Sequence, residues 1–349
     1  MADFLQLHLL TAYAPANLNR DDTGRPKSAV FGGVTRLRIS SQSLKRAWRT
    51  SGAFGEKLDG HLASRTQRLG QDLRKHLEEG GMAQDDASRT ARAIAGLFGK
   101  LKSEKDDNPE FIEQLAFVSP EERETAFRLA DRALAGEKIE PQPADVLLNS
   151  DGAADIAMFG RMLADNPGFN REAAVQVAHA ITTHRAVAED DYYTAVDDLK
   201  GSDEGDDAGA GFVGVQEFGS GVFYEYICAD RDLLLKNLGG NRAVRDAAIA
   251  ALVEAAATVA PRGKQAGFAS RAYALYALAE KGPQQPRSLA AAFLRPVDGG
   301  DLGNESRKRL VEFRQQLERA YGVCADAVYE MDVGGERGSL AGLIDFAVS

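Results

Sequence analysis

The chain has 349 residues, of which 44% are hydrophobic and 27% charged, and its formal net charge is −10, as expected of a globular protein of about two domains. No apolar run approaches the roughly 18 residues of a membrane span, and Asp3 and His8 interrupt the segment where a signal peptide would need basic and then apolar residues. The two cysteines form no C-x-x-C pair, which argues against a disulfide framework or a zinc knuckle and favours a reducing cytoplasm.

Residues 4–11 have the alternation of a first β-strand. Leu5, Leu7 and Leu9 lie on one of its faces and Gln6, His8 and Leu10 on the other, and we expect it to be central in its sheet. Residues 14–33 follow as a long loop rich in Pro, Asn, Asp and Gly. Loops of this length without periodicity are usually functional or disordered.

The stretch from Arg36 to Gly52 predicts a short strand that leads directly into a short helix. Alternation over residues 34–39 places arginines on the exposed face of the strand. Ser40 or Ser41 is expected to cap the helix, and Gly52 to end it in a left-handed conformation. The polar face of the helix carries Gln42, Lys45, Arg46 and Arg49. Free backbone N–H groups beside such cations predict a site for an anionic polymer, although a solvated amphipathic helix is the alternative.

The distribution of charge supports the polyanion hypothesis better than the net charge does. Residues 17–50 contain eight Lys and Arg against two acids, so the rest of the chain is strongly acidic. One basic patch on an acidic body suits a protein that holds a polyanion along a single track.

Residues from 52 to about 184 read as almost wholly helical and predict an inserted helical subdomain. Ser119 to Glu122 form a capping box with proline at the first helical position. Asn170 is expected to cap a helix that contains Val177 and Ile181.

Residues 192–223 predict a long hairpin whose connection, around the acidic residues 203–207, is too polar to pack. The acidic residues are expected to face solvent or a partner's basic residues. Further on, residues 245–259 predict a helix, 272–278 a strand and 305–321 another helix, followed by a poorly patterned tail.

Three possible chemical motifs are weak. Residues 209–214 match G-x-G-x-x-G but open a strand rather than a helix, which contradicts a dinucleotide site. His179 and His184 are five residues apart, and two positions five apart on a helix do not share the face that a metal needs. Asp21 and Asp22 could hold a divalent metal, yet pairing with nearby arginines is the simpler interpretation because no third ligand is evident. We predict no metal, no cofactor and no catalytic residue.

Several segments together resemble one family, the guide-RNA-binding backbone subunit of Cascade, the type I-E CRISPR surveillance complex. The segments are N-L-N-R-D-D (17–22), F-G-G (31–33), R-I-S-S-Q-S-L-K-R-A (38–47), A-H-A-I-T-T-H (178–184), T-A-V-D-D-L (194–199) and Q-E-F-G-S-G-V-F-Y (216–224). The resemblance runs in order across most of the chain and is weak in the helical block and in the last hundred or so residues.

The resemblance implies an α+β fold shaped like a right hand. The palm would be a modified RNA-recognition-motif, or ferredoxin-like, fold with a helical fingers insertion and a β-hairpin thumb. On this basis residues 1–56, 178–187 and 223–349 are assigned to the palm, 57–177 to the fingers and 188–222 to the thumb.

The resemblance also implies the residues that hold RNA. By position, Arg20, Lys27, Ser40, Gln42, Lys45, Arg46 and Arg49 would hold the backbone of the guide RNA (crRNA). Arg161 and Met162 match a segment whose methionine packs at a kinked nucleotide. Tyr193 stands where the family carries an aromatic wedge at the base of the thumb, usually phenylalanine.

The expected partners are crRNA, the target DNA strand paired to it, other copies of the chain and other Cascade subunits, in the cytoplasm and without a membrane. The expected role is non-catalytic. The alternative is a metal-dependent RNA endonuclease of the type III kind that would use Asp21 or Asp22. A stand-alone RNA-binding module is a third hypothesis.

Overall fold

The computed structural model describes residues 3–195 and 212–349, and its elements alternate between a large sheet and packed helices. The strands are β1 Phe4–Ala16, β2 Ser28–Phe31, β3 Val34–Ile39, β4 Ser64–Thr66, β5 Ala116–Val118, β6 Val175–Val177, β7 Ala180–Thr182, β8 Glu189–Ala195, β9 Phe212–Asp230, β10 Ala274–Gly282 and β11 Ala327–Asp332. The helices are α1 Ser41–Arg49, α2 Gly52–Lys57, α3 Leu69–Glu79, α4 Gln84–Ala95, α5 Pro120–Leu134, α6 Ala154–Phe159, α7 Arg231–Asn237, α8 Arg242–Thr258, α9 Gln265–Phe268, α10 Leu302–Tyr321 and α11 Leu340–Val348. The predicted α+β class is confirmed.

The main sheet is antiparallel, with strand order β11-β10-β1-β9-β7-β3-β2, and β6 and β8 also pair with β9. As predicted, β1 is central, since it pairs with β9 on one side and β10 on the other. Leu5, Leu7 and Leu9 on one face of β1 pack in the core that includes α8, and Leu10 on the other face packs in the core that includes α10. Helices therefore cover both faces of the sheet.

The segment of the chain between β3 and β6 forms a second hydrophobic core of its own. Leu69, Leu73 and Leu77 of α3 pack there with side chains of α4 and α5. The capping box at Ser119 is present, because its hydroxyl accepts the N–H of Glu122 and the Glu122 carboxylate accepts the N–H of Ser119. The limits assigned to palm, fingers and thumb stay predictions.

Two local predictions around the basic stretch are wrong. Arg36 is fully buried rather than exposed, because its guanidinium donates to the carbonyl oxygens of Phe31, Thr182 and Phe293 at 3.2, 3.1 and 2.7 Å. Gly52 does not end a helix in a left-handed conformation: α1 stops at Arg49, and the hydroxyl of Ser51 caps a new helix that begins at Gly52.

The helical block also contains strands that the pattern did not predict. Asn170 begins no helix, since residues 175–177 and 180–182 pair with β9 as β6 and β7. Three-residue strands are too short to show a period of two, so their pairing partner decides their conformation. The poorly patterned tail contains β11, which pairs with β10 at the edge of the sheet, and the helix α11. No described helix is both long and apolar enough to cross a membrane.

Candidate nucleic-acid interface

The loop that carries Arg20 and Lys27 is fixed to the sheet at several points. The side-chain amide of the buried Asn17 donates to the carbonyls of Gly24 and Glu217, at 3.0 and 2.9 Å. Arg25 makes an ion pair with Glu217 at 2.6 Å, and this partner raises the pKa of the guanidinium. Arg25 is therefore engaged by its own chain, and the loop is ordered before any ligand binds.

Asp21 stabilises the conformation of this loop. Its Oδ1 accepts the N–H and hydroxyl of Thr23 and the N–H of Arg25, at 2.9, 2.7 and 3.0 Å. These hydrogen bonds, the hydroxyl one above all, lower the pKa of Asp21. Asp22 is exposed beside it. Within residues 3–195 and 212–349, no group of three or more His, Cys, Asp or Glu side chains is placed to hold a metal ion.

The start of α1 is occupied by the protein's own groups. The Ser40 hydroxyl accepts the N–H of Ser43 at 3.3 Å, and the Ser40 N–H donates to Asn19 Oδ1 at 2.8 Å. The N–H of Ser41 donates to Nδ1 of His179 at 3.2 Å. Ser40 itself is buried. The expectation of free backbone donors at this helix end is therefore wrong for Ser41 and Ser43, and Ser40 acts as a cap that joins the loop to the helix.

His179 was not foreseen as part of the interface. Its Nδ1 lies 3.2 Å from a guanidinium nitrogen of Arg38, and burial followed by the charges of Arg38 and Lys27 lowers its pKa. A neutral imidazole can accept the hydrogen bonds from Arg38 and α1, whereas an imidazolium could not. His179 therefore joins the strand arginine Arg38 to the start of α1.

The polar face of α1 divides into two groups. Gln42 and Arg46 are exposed to solvent. Lys45 is half-buried with its ammonium 5.7 Å from the centre of the Phe159 ring, and burial lowers its pKa. Arg49 lies 5.2 Å from the Phe117 ring and 3.4 Å from the buried carboxylate of Asp155. Arg49 thus has an internal partner in Asp155.

Four of the predicted cations form no ion pair with any described residue: Arg20, Lys27, Lys45 and Arg46. They lie on the loop and on α1, which the Asn19–Ser40 hydrogen bond holds together. A half-buried lysine without a carboxylate favours an anionic ligand, which would offset the cost of its burial. These four side chains make up what we call the cation face.

Arg161 and Met162 are neighbours in sequence with opposite surroundings. Arg161 is buried and donates to the Glu122 carboxylate at 2.5 Å and to three carbonyl oxygens. Met162 is 83% exposed. Only Met162 is available to a ligand, and Arg161 holds the segment that presents it.

Tyr193 lies on β8 in the β8–β9 hairpin and is 45% exposed. It pairs across the strands with Gly214, where an added Cβ would lie 2.5 Å from Cζ of the tyrosine. The ring also lies 6.1 Å from that of Phe212. The glycine therefore leaves room for the ring to lie across the hairpin. The acidic residues 203–207 fall outside the described residues.

The loop 261–265 was predicted only as a loop, yet it borders the cation face. Arg262 donates to the carbonyl of Thr50 just after α1, at 3.1 Å. Gly263 packs against the carbonyls of Asn17 and Leu18 so closely that a side chain would clash. Lys264 is held at a φ of 51°, a strained value for a lysine. No local pattern marks these residues, since the chain returns to this place only through the sheet.

Comparisons with known proteins agree with this architecture. Residues 5–337 match the family described as CT1975-like protein. A chain of the structure named CRISPR RNA-guided surveillance complex, pre-nicking, superposes with a TM-score of 0.85 at 29% sequence identity, with 99% of both chains covered. A chain of another structure, named CRISPR RNA-guided surveillance complex, gives a TM-score of 0.72 at 25% identity, also with 99% of both chains covered. No curated protein matches the chain.

Proposed function

The chain belongs to the CT1975-like protein family, and we propose that it is a non-catalytic subunit of a CRISPR surveillance complex that holds the backbone of the guide RNA. The support from the comparisons is that similar solved chains, covering 99% of this one, come from RNA-guided surveillance complexes. We assign the complex to the type I-E kind, Cascade, on the sequence segments that resemble that family.

The observation that carries the proposal is the cation face. Arg20, Lys27, Lys45 and Arg46 offer positive charge and have no carboxylate partner in the part of the chain that the structure describes, and they lie on a loop and helix that hydrogen bonds of Asn17 and Asn19 hold in place. Phosphate contacts fix the position of a nucleic acid without reading its sequence. A subunit that must accept any guide needs this kind of contact, while base pairing reads the target.

We further propose how copies assemble. Several copies would stack along the crRNA, and the hairpin of each would reach the next copy. There Tyr193 would displace one base, and Met162 would pack at the kinked nucleotide, since contacts to a base face tolerate any sequence. The remaining bases would be free to pair with a strand of target DNA. We also propose that the chain contacts other Cascade subunits and acts in the cytoplasm.

The first test reverses two charges of the cation face. Lys45→Glu combined with Arg46→Glu should abolish retention of guide RNA in filter binding, because repulsion replaces two phosphate contacts. Lys45→Gln with Arg46→Gln, which keeps most of each side chain, should weaken retention without disturbing the packing near Phe159. Circular dichroism checks that each variant is folded.

The matched control is Arg128→Glu with Arg132→Glu. Both arginines are exposed on α5; Arg128 pairs with Glu124 on the same helix and Arg132 with Glu137 just after it. This variant has the same change in net charge and should retain guide RNA as the parent does. If the cation-face variant retains RNA equally well, the proposed function is wrong.

The proposal that the subunit is non-catalytic needs its own test. The chain loaded with guide RNA is incubated with complementary RNA and Mg²⁺. The complement should stay intact, since Asp21 uses an oxygen to shape its own turn. Cleavage that disappears in Asp22→Asn would favour a nuclease instead.

A further inference from the structure

A second row of cations begins where α1 ends. The ring of Phe117, on β5, is contacted by two guanidiniums: Arg49 of α1 at 5.2 Å and Arg65 of β4 at 5.3 Å, measured to the ring centre. Arg65 and Phe117 are direct cross-strand partners. The two charges therefore lie within about one Debye length of each other at 0.1 M salt, near 10 Å, and act together on one polyanion.

The same arrangement recurs one step further from α1. Arg68 and Lys102 lie 5.9 and 5.6 Å from the centre of the Phe111 ring. The backbone around Gln67 is hydrogen-bonded to the segment that contains Phe111, because the N–H of Ile112 donates to the Gln67 carbonyl at 3.0 Å. Residues 65–68 therefore run beside residues 111–117. We call Arg65, Arg68, Phe111 and Phe117 the finger stripe.

The arginines of the finger stripe are free to bind a ligand. Both are exposed, and neither has an ion pair anywhere in residues 3–195 and 212–349. A guanidinium that stacks on a ring keeps the N–H groups in its plane available, and the ring limits its rotamers. Such a group loses less entropy when it binds phosphate than a freely rotating side chain would.

We propose that the phosphate track of the guide RNA continues from the cation face, through Arg49, onto Arg65 and Arg68 of the finger stripe. This rests on the proposed function and extends its binding site into the helical insertion. Arg49 belongs to α1 and shares the Phe117 ring with Arg65, so the two rows form one continuous path. That continuity favours the polyanion already held on α1 over a separate acidic protein.

The test is Arg65→Glu with Arg68→Glu in the full chain, measured by filter binding of guide RNA over a range of salt concentrations. Affinity should fall about tenfold or more, and the salt slope should become shallower by about 1.4, or 0.7 for each lost phosphate contact. Arg65→Lys with Arg68→Lys should keep the slope but not the full affinity, because lysine keeps the charge and loses the planar fork. The Arg128→Glu, Arg132→Glu variant should match the parent.

Other outcomes separate the two proposals. Unchanged guide affinity in Arg65→Glu with Arg68→Glu, while Lys45→Glu with Arg46→Glu fails to bind, would overturn the finger stripe and leave the proposed function standing. Normal guide affinity with loss of complementary DNA would assign the stripe to a second strand and also overturn this inference. Loss of neither ligand in either variant would refute both.

Discussion

Glu225 provides a test of the packing of the main sheet. It lies on β9 among the core side chains Phe223 and Ile227, is only 2% exposed, and its Oε2 has no hydrogen-bond partner among the described residues. Burial raises the pKa of this carboxyl from an ordinary 4.5 to about 8. The folded protein therefore holds a proton that the unfolded chain releases at lower pH.

The sign and size of the effect follow from proton linkage. Between pH 4.5 and about 8 the folded state binds the extra proton, so the free energy of unfolding falls as the pH rises through this window. At about 1.4 kcal/mol for each pH unit, the loss is on the order of 5 kcal/mol by pH 8. Glu225→Gln removes the ionisable group and this part of the pH dependence.

The assay is urea unfolding followed by circular dichroism at pH 5, 7 and 9, on the parent and on Glu225→Gln. The free energy of unfolding should fall more steeply between pH 5 and pH 9 in the parent than in the variant. The variant should therefore become more stable relative to the parent as the pH rises. Glu225→Met, which leaves no buried polar atom, should show the same reduced slope even if its absolute stability differs. Parallel curves for parent and variants would refute a neutral buried carboxyl at this position.

Three further substitutions test other parts of the structure. Gly214→Ala should displace the Tyr193 ring, raising the exposure of the tyrosine to chemical modification with little loss of stability; unchanged reactivity would contradict the close approach. Arg161→Met should destabilise the fold by about 3–5 kcal/mol because it leaves the Glu122 carboxylate buried without its partner, and a normal unfolding midpoint would contradict that role. Gly263→Ala should weaken guide binding by pushing the loop 261–265 away, and full affinity in filter binding would argue against its place beside the cation face.

Elements defined by local signals were predictable from the sequence. The strand β1 shows its alternation over the five positions 5–9, and α1 has a capping serine and an apolar face that ends on Trp48. The capping box at Ser119 needs only four residues to specify a helix start. In each case the signal that specifies the element lies within a short run of consecutive residues.

Elements decided by distant partners were not predictable. Arg36 alternates as an exposed residue should, and only the carbonyls of Thr182 and Phe293, far along the chain, make its burial possible. The short strands β6 and β7 exist because β9 pairs with them. Their own residues are compatible with helix, which is why the pattern misled.

In the candidate site, too, local patterns predict some residues, whereas distant contacts decide others. The cations of α1 and of the preceding loop were predictable from charge spacing and from resemblance to a family. The contributions of His179 and Arg262 come from segments that are close only in the folded sheet. Which predicted cations are already paired, as Arg49 is with Asp155, also depends on tertiary contacts.

The most direct test of the central claim is the salt dependence of guide RNA binding to one copy of the chain. Four phosphate contacts from Arg20, Lys27, Lys45 and Arg46 predict that the logarithm of affinity falls with the logarithm of salt at a slope of about −3 or steeper. Lys45→Gln with Arg46→Gln, which weakens binding without reversing charge, should make the slope shallower by about 1.4, or 0.7 for each lost phosphate contact. A slope near zero in the parent, or one that this variant leaves unchanged, would contradict the claim that the cation face holds the phosphate backbone.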